Sequence, residues 1–397
     1  MDDLTSGKIV LPAATWRDRP GLDRLAAALG AAAGEARYVG GAVRDTLLGL
    51  DVADIDIATR HAPAEVIARL EAAGIKAVPT GIEHGTITAV SSGTVVEVTT
   101  LRRDVSTDGR RATVAFTDDW REDAARRDFT MNALYADPLT GELFDWFGGL
   151  GDLAAGRVRF IGDPYQRIAE DHLRILRFFR FHARFGDAID AAGLAACTDR
   201  ANDLMALSRE RIAAELLRLL VAANAVPVVA LMIEYGIFRP ALPEVTDAAA
   251  LAALAAREAA EGVAPDAIRR LAALIAPDEA EGVGARLKLS NADRKRLQAA
   301  HDGPGDEGPR ALAYRVGLPI AIDRLLLAGE SVAALRDWTP PRLPIGGGEI
   351  VARGVAKGPE VARLLRAVED EWIARGFPDA AETAAIVDQL LSSRSSR

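Results

Sequence analysis

Residues 40–60 read GGAVRDTLLGLDVADIDIATR. Two adjacent glycines are followed by Arg44, then by a stretch of helical character, then by Asp54-Ile55-Asp56-Ile57. Alternate side chains of a strand share a face, so Asp54 and Asp56 are expected on one side and Ile55 and Ile57 in the core on the other. Neighbouring carboxylates repel each other unless a cation sits between them. A hard divalent ion with an octahedral oxygen shell, Mg2+ above all, suits the pair.

The turn at Gly40 and Gly41 lets backbone amides approach a guest closely, and the helix after it directs its positive end there, with Arg44 on its first turn. A triphosphate matches that chemistry. Further along, TVVEVTT (94–100) is a strand pattern in which Val96 and Val98 face one way and Glu97 the other, so Glu97 is expected to join the two aspartates. An isolated Asp-x-Asp is common on ordinary strands, and an isolated Gly-Gly before a helix is weaker still. Together with an acidic strand beyond, they resemble the pattern of the nucleotidyltransferase superfamily that includes polymerase beta.

Outward from this stretch the first 150 residues read as mixed α/β. GLDRLAAALGAAA (21–33) spaces Leu22, Leu25 and Leu29 as a helix, ARYVGG (36–41) is a short strand running into a turn, and Pro63 opens the helix PAEVIARLEAAG. GTITAVSSGTVVEVTT (85–100) reads as a hairpin with a Ser-Gly turn. The polar stretch between Arg102 and Asp123 is expected to be a long, mobile loop. From about Asp163 the pattern is almost wholly helical, broken by Pro and Gly clusters at 240–243, 303–309 and 339–348. No internal repeat stands out.

The gross numbers set bounds. With 397 residues and 49% hydrophobic residues, the chain is long enough for two or more domains. Its opening residues lack the basic and apolar regions of a secretion signal, and the expected address is the cytoplasm, with no membrane partner. The single cysteine, Cys197, makes no intramolecular disulfide and is expected in the core. A net charge of −9 argues against broad nucleic-acid affinity, so any RNA contact is expected on a local positive stripe and to weaken steeply with salt. Of the basic residues 43 are arginine and five lysine, a bias best explained by codon usage.

With the next motifs the chain resembles the class II tRNA nucleotidyltransferases, or CCA-adding enzymes, and the bacterial poly(A) polymerases. RRDFTMNAL (126–134) is similar to the family's second motif, and the resemblance carries Arg127, Asp128 and Asn132 over to the nucleotide pocket. FDWFGGLGDLAAGRVRFIGDP (144–164) resembles the connecting segment in which Asp145 and the glycines act as a hinge. EDHLRILRF (170–178) resembles the nucleotide-selecting motif, and RERIAAEL (209–216), with Glu215, the last, structural one. The resemblance is strong over about residues 38–218 and general beyond.

It implies an α+β protein. A polymerase-beta-like head of mixed sheet and helices over 1–158 would be followed by an elongated all-helical remainder: a neck with the selecting helix (159–225), a body (226–330) and a tRNA-binding tail (331–397). The implied activity is template-independent addition of CCA to tRNA from CTP and ATP by two-metal nucleotidyl transfer with Mg2+. Asp54 and Asp56 would bind metal and be catalytic together with Glu97. Gly40, Gly41, Arg44, Arg127, Asp128, Asn132, Asp171, Arg174, Arg177 and Arg180 would bind nucleotide.

Selection of the base also follows from chemistry. Asp163 and Pro164 suit the start of a helix expected to run to about Phe185, with Asp171, Arg174, Arg177 and Arg180 recurring every three residues along one side. Cytosine and adenine each present an amino donor beside a bare ring nitrogen. Uracil and guanine present a carbonyl beside a ring N–H. A carboxylate that only accepts and a guanidinium that only donates fit the first pair and mismatch the second. Taken alone, such a run is more often a solvated ion-pair stripe.

His84, in GIEHGTITAV (81–90), lies in a segment like that of the CCA-adding branch, although such a histidine is usually a turn or packing residue; His172 and His182 read as structural. LKLSNADRKRL (287–297) fits either a tRNA-backbone contact or a solvated helix start capped at Ser290 or Asn291. The one His-Asp pair, His301-Asp302, lacks companions for a metal-dependent phosphohydrolase site. The alternative activities are poly(A) synthesis or addition of A alone; a catalytically inactive tRNA-binding protein is the alternative of a different class.

Overall fold

The computed structural model describes residues 9–108 and 111–395. The chain forms two compact units, one reaching to Pro243 and one from Glu244 onward.

The first unit is built on a seven-stranded mixed sheet. In chain order its strands are β1 (Ala36–Val39), β2 (Asp56–Thr59), β3 (Lys76–Gly81), β4 (Thr86–Ser91) and β5 (Thr94–Thr100), with β8 (Tyr135–Ala136) and β9 (Leu143–Phe144) after a separate hairpin of β6 (Arg102–Asp108) and β7 (Arg111–Phe116). The spatial order is β3-β4-β5-β2-β1-β8-β9, and only β2 and β5 pair in parallel. That pairing sets Asp56 beside Glu97. The β4–β5 turn is made at Ser92 and Gly93, both at positive φ, where glycine is unstrained and the hairpin twist is matched. Ile55 and Ile57 are buried, as are Val96 and Val98, so the expected alternation of core and cavity faces holds. Leu22, Leu25 and Leu29 are wholly buried, and Cys197 lies in the core.

Three local expectations are corrected. Arg102–Asp108 and Arg111–Phe116 pair as the β6–β7 hairpin rather than a long loop, residues 109 and 110 of the expected loop lying outside the described residues; the sequence Asp108-Gly109 is a hairpin signal that the surrounding charges obscure. Strand β2 begins at Asp56, so Asp54 sits on the loop that leads into it. The helix expected from Asp163 to Phe185 is two helices, Pro164–Glu170 and Arg174–Phe185. Asp171 between them is extended (φ −150°, ψ 105°), and its carboxylate accepts the Leu173 N–H at 3.1 Å. Aspartate offers the backbone this local bond in place of the helical ladder, and so it restarts the helix as Asp163, bonded to the Tyr165 N–H, starts the one before.

From Pro164 on, every described element is helical. The second unit carries apolar clusters, one around Ile350, Leu364, Val368, Trp372 and Ile386 and another around Leu254, Ala321, Leu325 and Leu326. A buried ion-pair group sits there as well: Arg269 and Arg270 both donate to Glu258 at 2.8 Å, and Arg296 to Asp323 at 2.7 Å. Ser290 caps the helix Asn291–Ala299 through the Asp293 N–H, which supports the helix-start reading of that basic segment.

Candidate active site

Two cavities of the first unit meet at Asp56. One, of 850 Å³, is lined by Asp54, Asp56 and Glu97 together with Arg19, Thr88 and Thr94. The other, of 510 Å³, is lined by Gly40, Gly41, Arg44, Asp56, Arg127, Asp128, Asn132, Asp171, Arg174 and Arg177, with Arg102, Arg126 and Phe181. Every residue expected from the sequence to serve the site borders one cavity or the other, except Arg180.

The carboxylate cavity is shaped by the sheet. Glu97 donates its N–H to the Ile55 carbonyl at 3.0 Å, which locks β5 to the entry of β2. Burial, and then the nearby charges of Glu97 and Asp54, push the Asp56 carboxyl up to about 6, against the opposing pull of Arg127. A carboxylate so crowded gains from a cation. Among the described residues no three of His, Cys, Asp and Glu form a closed ligand set. That donor set fits a hard ion such as Mg2+, which is commonly held by one or two carboxylates and completed by waters and substrate phosphates.

The second cavity is an arginine funnel on a buried scaffold. Arg44, 5% exposed, donates to Asp45 at 2.7 Å and to Asn132 at 2.5 Å, and lies over the Phe185 ring at 4.4 Å. Asn132 in turn donates to Asp128 at 3.0 Å. Burial alone would raise the Asp128 carboxyl, yet the Arg177 guanidinium at 2.5 and 2.8 Å and the bonds from Asn132 and the Phe129 N–H hold it down at about 2. Arg127 donates to the Tyr135 hydroxyl at 3.0 Å and to Asp123 at 3.2 Å, and Asp123 also takes Arg126 at 2.8 Å. Gly40 stands at φ +68°, a conformation that side-chain-bearing residues rarely adopt, and so makes the turn that brings backbone up to the cavity.

The selecting residues are held in place by partners. Asp171 accepts both of its bonds to Arg211 Nη2, at 2.8 and 3.0 Å, while Arg174 donates to Glu170 at 2.6 Å and to the Arg167 carbonyl at 2.8 Å. Three of the roughly four acceptor sites of a carboxylate are thus used at Asp171. Arg180 is placed differently from expectation: it pairs with the buried Glu215 and lies over Phe181 at 4.2 Å, behind the cavity wall. Asp145 accepts N–H bonds from Phe147, Gly149 and Leu150, so this expected hinge residue is a fastened turn here. His84 ends a turn whose carbonyl accepts from Arg102, and it lines neither cavity.

Sequence reasoning missed Arg19, Asp123, Arg126 and Arg211. For Asp123 a signal existed, since Arg126 and Arg127 follow at helical spacings of three and four. Arg211 is 40 positions from Asp171, and nothing local connects the two.

The chain is similar to known proteins over most of its length. A family model described as the poly A polymerase head domain matches residues 36–159, and one described as the probable RNA and SrmB-binding site of polymerase A matches residues 188–249. A mouse protein named CCA tRNA nucleotidyltransferase 1, mitochondrial, is 35% identical over 365 residues, 86% of this chain and 84% of the relative. A CCA-adding enzyme of Lacticaseibacillus paracasei is 44% identical over 192 residues, 48% of this chain and 47% of that one. Among solved structures, the Bacillus stearothermophilus CCA-adding enzyme in complex with CTP matches with a TM-score of 0.68 and 25% identity, covering 96% of this chain and all of the other.

Proposed function

The chain belongs to the family of CCA tRNA nucleotidyltransferases and poly(A) polymerases, and from that premise we propose that it adds CCA to the 3′ end of tRNA from CTP and ATP. The single observation that carries this reading is the meeting of an acidic and an arginine-lined cavity at Asp56. The nucleotide triphosphate sits in the arginine funnel, and the RNA end lies in the carboxylate cavity. The 3′-oxygen attacks the α-phosphorus in line and gives its proton to water, while the bond from the α-phosphorus to the oxygen bridging to the β-phosphate breaks and pyrophosphate leaves with that oxygen.

Asp54 and Asp56 would hold Mg2+, with Glu97 beside them. When bound, the two-metal arrangement supplies activation of the 3′-hydroxyl and neutralisation of the departing pyrophosphate. Arg44, Arg127 and Arg177, braced by Asn132 and Asp128, hold the triphosphate, and Gly40 and Gly41 admit it to close range. Asp171 accepts from the exocyclic amine of cytosine or adenine through its remaining acceptor site, and Arg174 donates to the adjacent ring nitrogen. Arg180 acts one layer back, by setting Glu215, whose other oxygen lies 3.9 Å from Arg177. We propose a finer division into head (1–158), neck (159–225), body (226–330) and RNA-binding tail (331–397), in which the body runs across the boundary at Pro243 and Glu244 that separates the compact units. The described residues include no helix long and apolar enough to cross a membrane, and the cytoplasm stays the proposed address.

The test is to incubate the purified protein and Mg2+ with a tRNA transcript lacking its last three nucleotides, offering CTP, ATP or both, and to size the products. Two additions with CTP and a third only when ATP joins are expected. A long ladder of A with ATP alone would make the chain a poly(A) polymerase, and no product at all would leave a tRNA-binding protein.

A further inference from the structure

Asp54 lies outside regular structure: residues 50–55 belong to no helix or strand. Something else must hold it opposite Asp56 and Glu97. The Arg19 guanidinium spans that loop, Nη2 donating to the Val52 carbonyl at 2.7 Å and Nη1 to the Ala53 carbonyl at 3.2 Å. The next residue reaches the other carboxylate-bearing element, because the Pro20 carbonyl accepts from the Thr94 hydroxyl at 2.8 Å on β5, three residues before Glu97. The segment is itself rooted. Trp16 is buried, donates to Thr46 at 2.8 Å on the helix Gly41–Leu47, and packs edge-on against Tyr38 at 4.8 Å. The Arg19 N–H is tied to the Trp16 carbonyl.

We propose that Arg19 is a positioning residue for the acidic cavity: its two-pronged hold on Val52 and Ala53, with Pro20 seated on Thr94, sets the separation between Asp54 and Glu97 and so the affinity for a divalent cation. The inference rests on Asp54 and Asp56 being the cation ligands. Arg19 lies before residue 36, where the match to the head-domain model begins. A planar fork suits two adjacent carbonyls, whereas an ammonium binds as a point charge. Groups that orient ligands from behind change metal affinity by roughly 10–100-fold when removed.

The experiment is a titration of the full chain with Mn2+ alone, free Mn2+ being read by electron paramagnetic resonance, for wild type, Arg19→Ala, Arg19→Lys and Asp54→Ala. CTP binding is measured in parallel by equilibrium dialysis. Arg19→Ala is expected to weaken Mn2+ binding about tenfold or more, and Arg19→Lys by a smaller factor, with CTP affinity within about twofold of wild type because the arginine funnel is untouched. Wild-type Mn2+ affinity in Arg19→Ala would overturn the proposal. Should that variant fail to fold, as judged by its melting curve, wild-type affinity in Arg19→Lys would overturn it instead. Wild-type affinity in Asp54→Ala is a separate result, and it would remove the ligand assignment on which the inference stands.

Discussion

Asp56 and Glu97 are register partners on adjacent parallel strands, two carboxylates side by side with one of them largely shielded from water. Burial and the neighbouring charges raise the Asp56 carboxyl to about 6. The folded chain therefore holds that proton more tightly than the unfolded chain does. The resulting stability is complete below about pH 4 and is lost as the pH rises through about 6. Asp56→Asn should accordingly stabilise the metal-free protein at about pH 8 by on the order of 2 kcal/mol, with little gain at about pH 4. The same variant should be inactive in CCA addition. Calorimetry at the two pH values together with the primer assay checks both halves.

Asp128 has the opposite sign. Its carboxyl is held down at about 2 because Arg177, Asn132 and the Phe129 N–H outweigh its burial. The stability it contributes is present above the ordinary aspartate range and is lost as the pH falls toward about 2. Asp128→Ala removes the close partner of Arg177, leaving it the longer approach of Glu215 at 3.9 Å, and should cost about 3 kcal/mol at neutral pH. Acid-unfolding curves should show a shallower loss of stability below about pH 4 in the variant than in the wild type.

Asp171→Asn exchanges a group that only accepts hydrogen bonds for one that also donates. The bidentate bond to Arg211 weakens, and the amide is able to face a carbonyl. Incorporation of CTP and ATP should fall on the order of 10²-fold in kcat/KM, with UTP and GTP gaining relative to them. Single-nucleotide incorporation with each of the four triphosphates measures the change.

Gly149 is packed against backbone: a Cβ there would lie 2.3 Å from the Thr130 carbonyl oxygen. Gly149→Ala should destabilise the first unit by roughly 1–3 kcal/mol, and Asp145→Ala, which strips three N–H groups of their acceptor, by about 1–2 kcal/mol. Denaturant melts of the two single variants and their double mutant should show clear coupling, since both act on the same turn.

What could be read from the sequence was what short-range chemistry decides. The alternation that buries Ile55 and Ile57 while leaving Asp56 at the cavity is a property of consecutive residues, and Glu97 followed by the same rule. Arg127, Asp128 and Asn132 came from a resemblance, and the structure explains their spacing by a buried bonding chain that runs on to Arg44 and Arg177. The break at Asp171 was hidden because helix periodicity continues on both sides of it, while one side-chain bond to Leu173 decides the backbone. Arg180 shares the three-residue rhythm of Arg174 and Arg177, but Glu215, 35 positions away, takes its guanidinium out of the cavity. Arg19 and Arg211 act across 33 to 40 positions, a distance at which a sequence carries no local pattern.

That Asp56 borders both cavities has a kinetic meaning. On the proposed reading, an RNA end in one cavity and a triphosphate in the other meet beside a carboxylate common to both, and neither takes the other's place. Initial-rate plots against RNA and triphosphate should intersect, without the parallel lines of a covalent relay, and neither reactant should have to arrive first. On the same reading, the lengthened RNA end would occupy the triphosphate's cavity after each addition and would step back past Asp56 before the next nucleotide enters. That one carboxylate would then be the fixed point past which the chain advances, nucleotide by nucleotide.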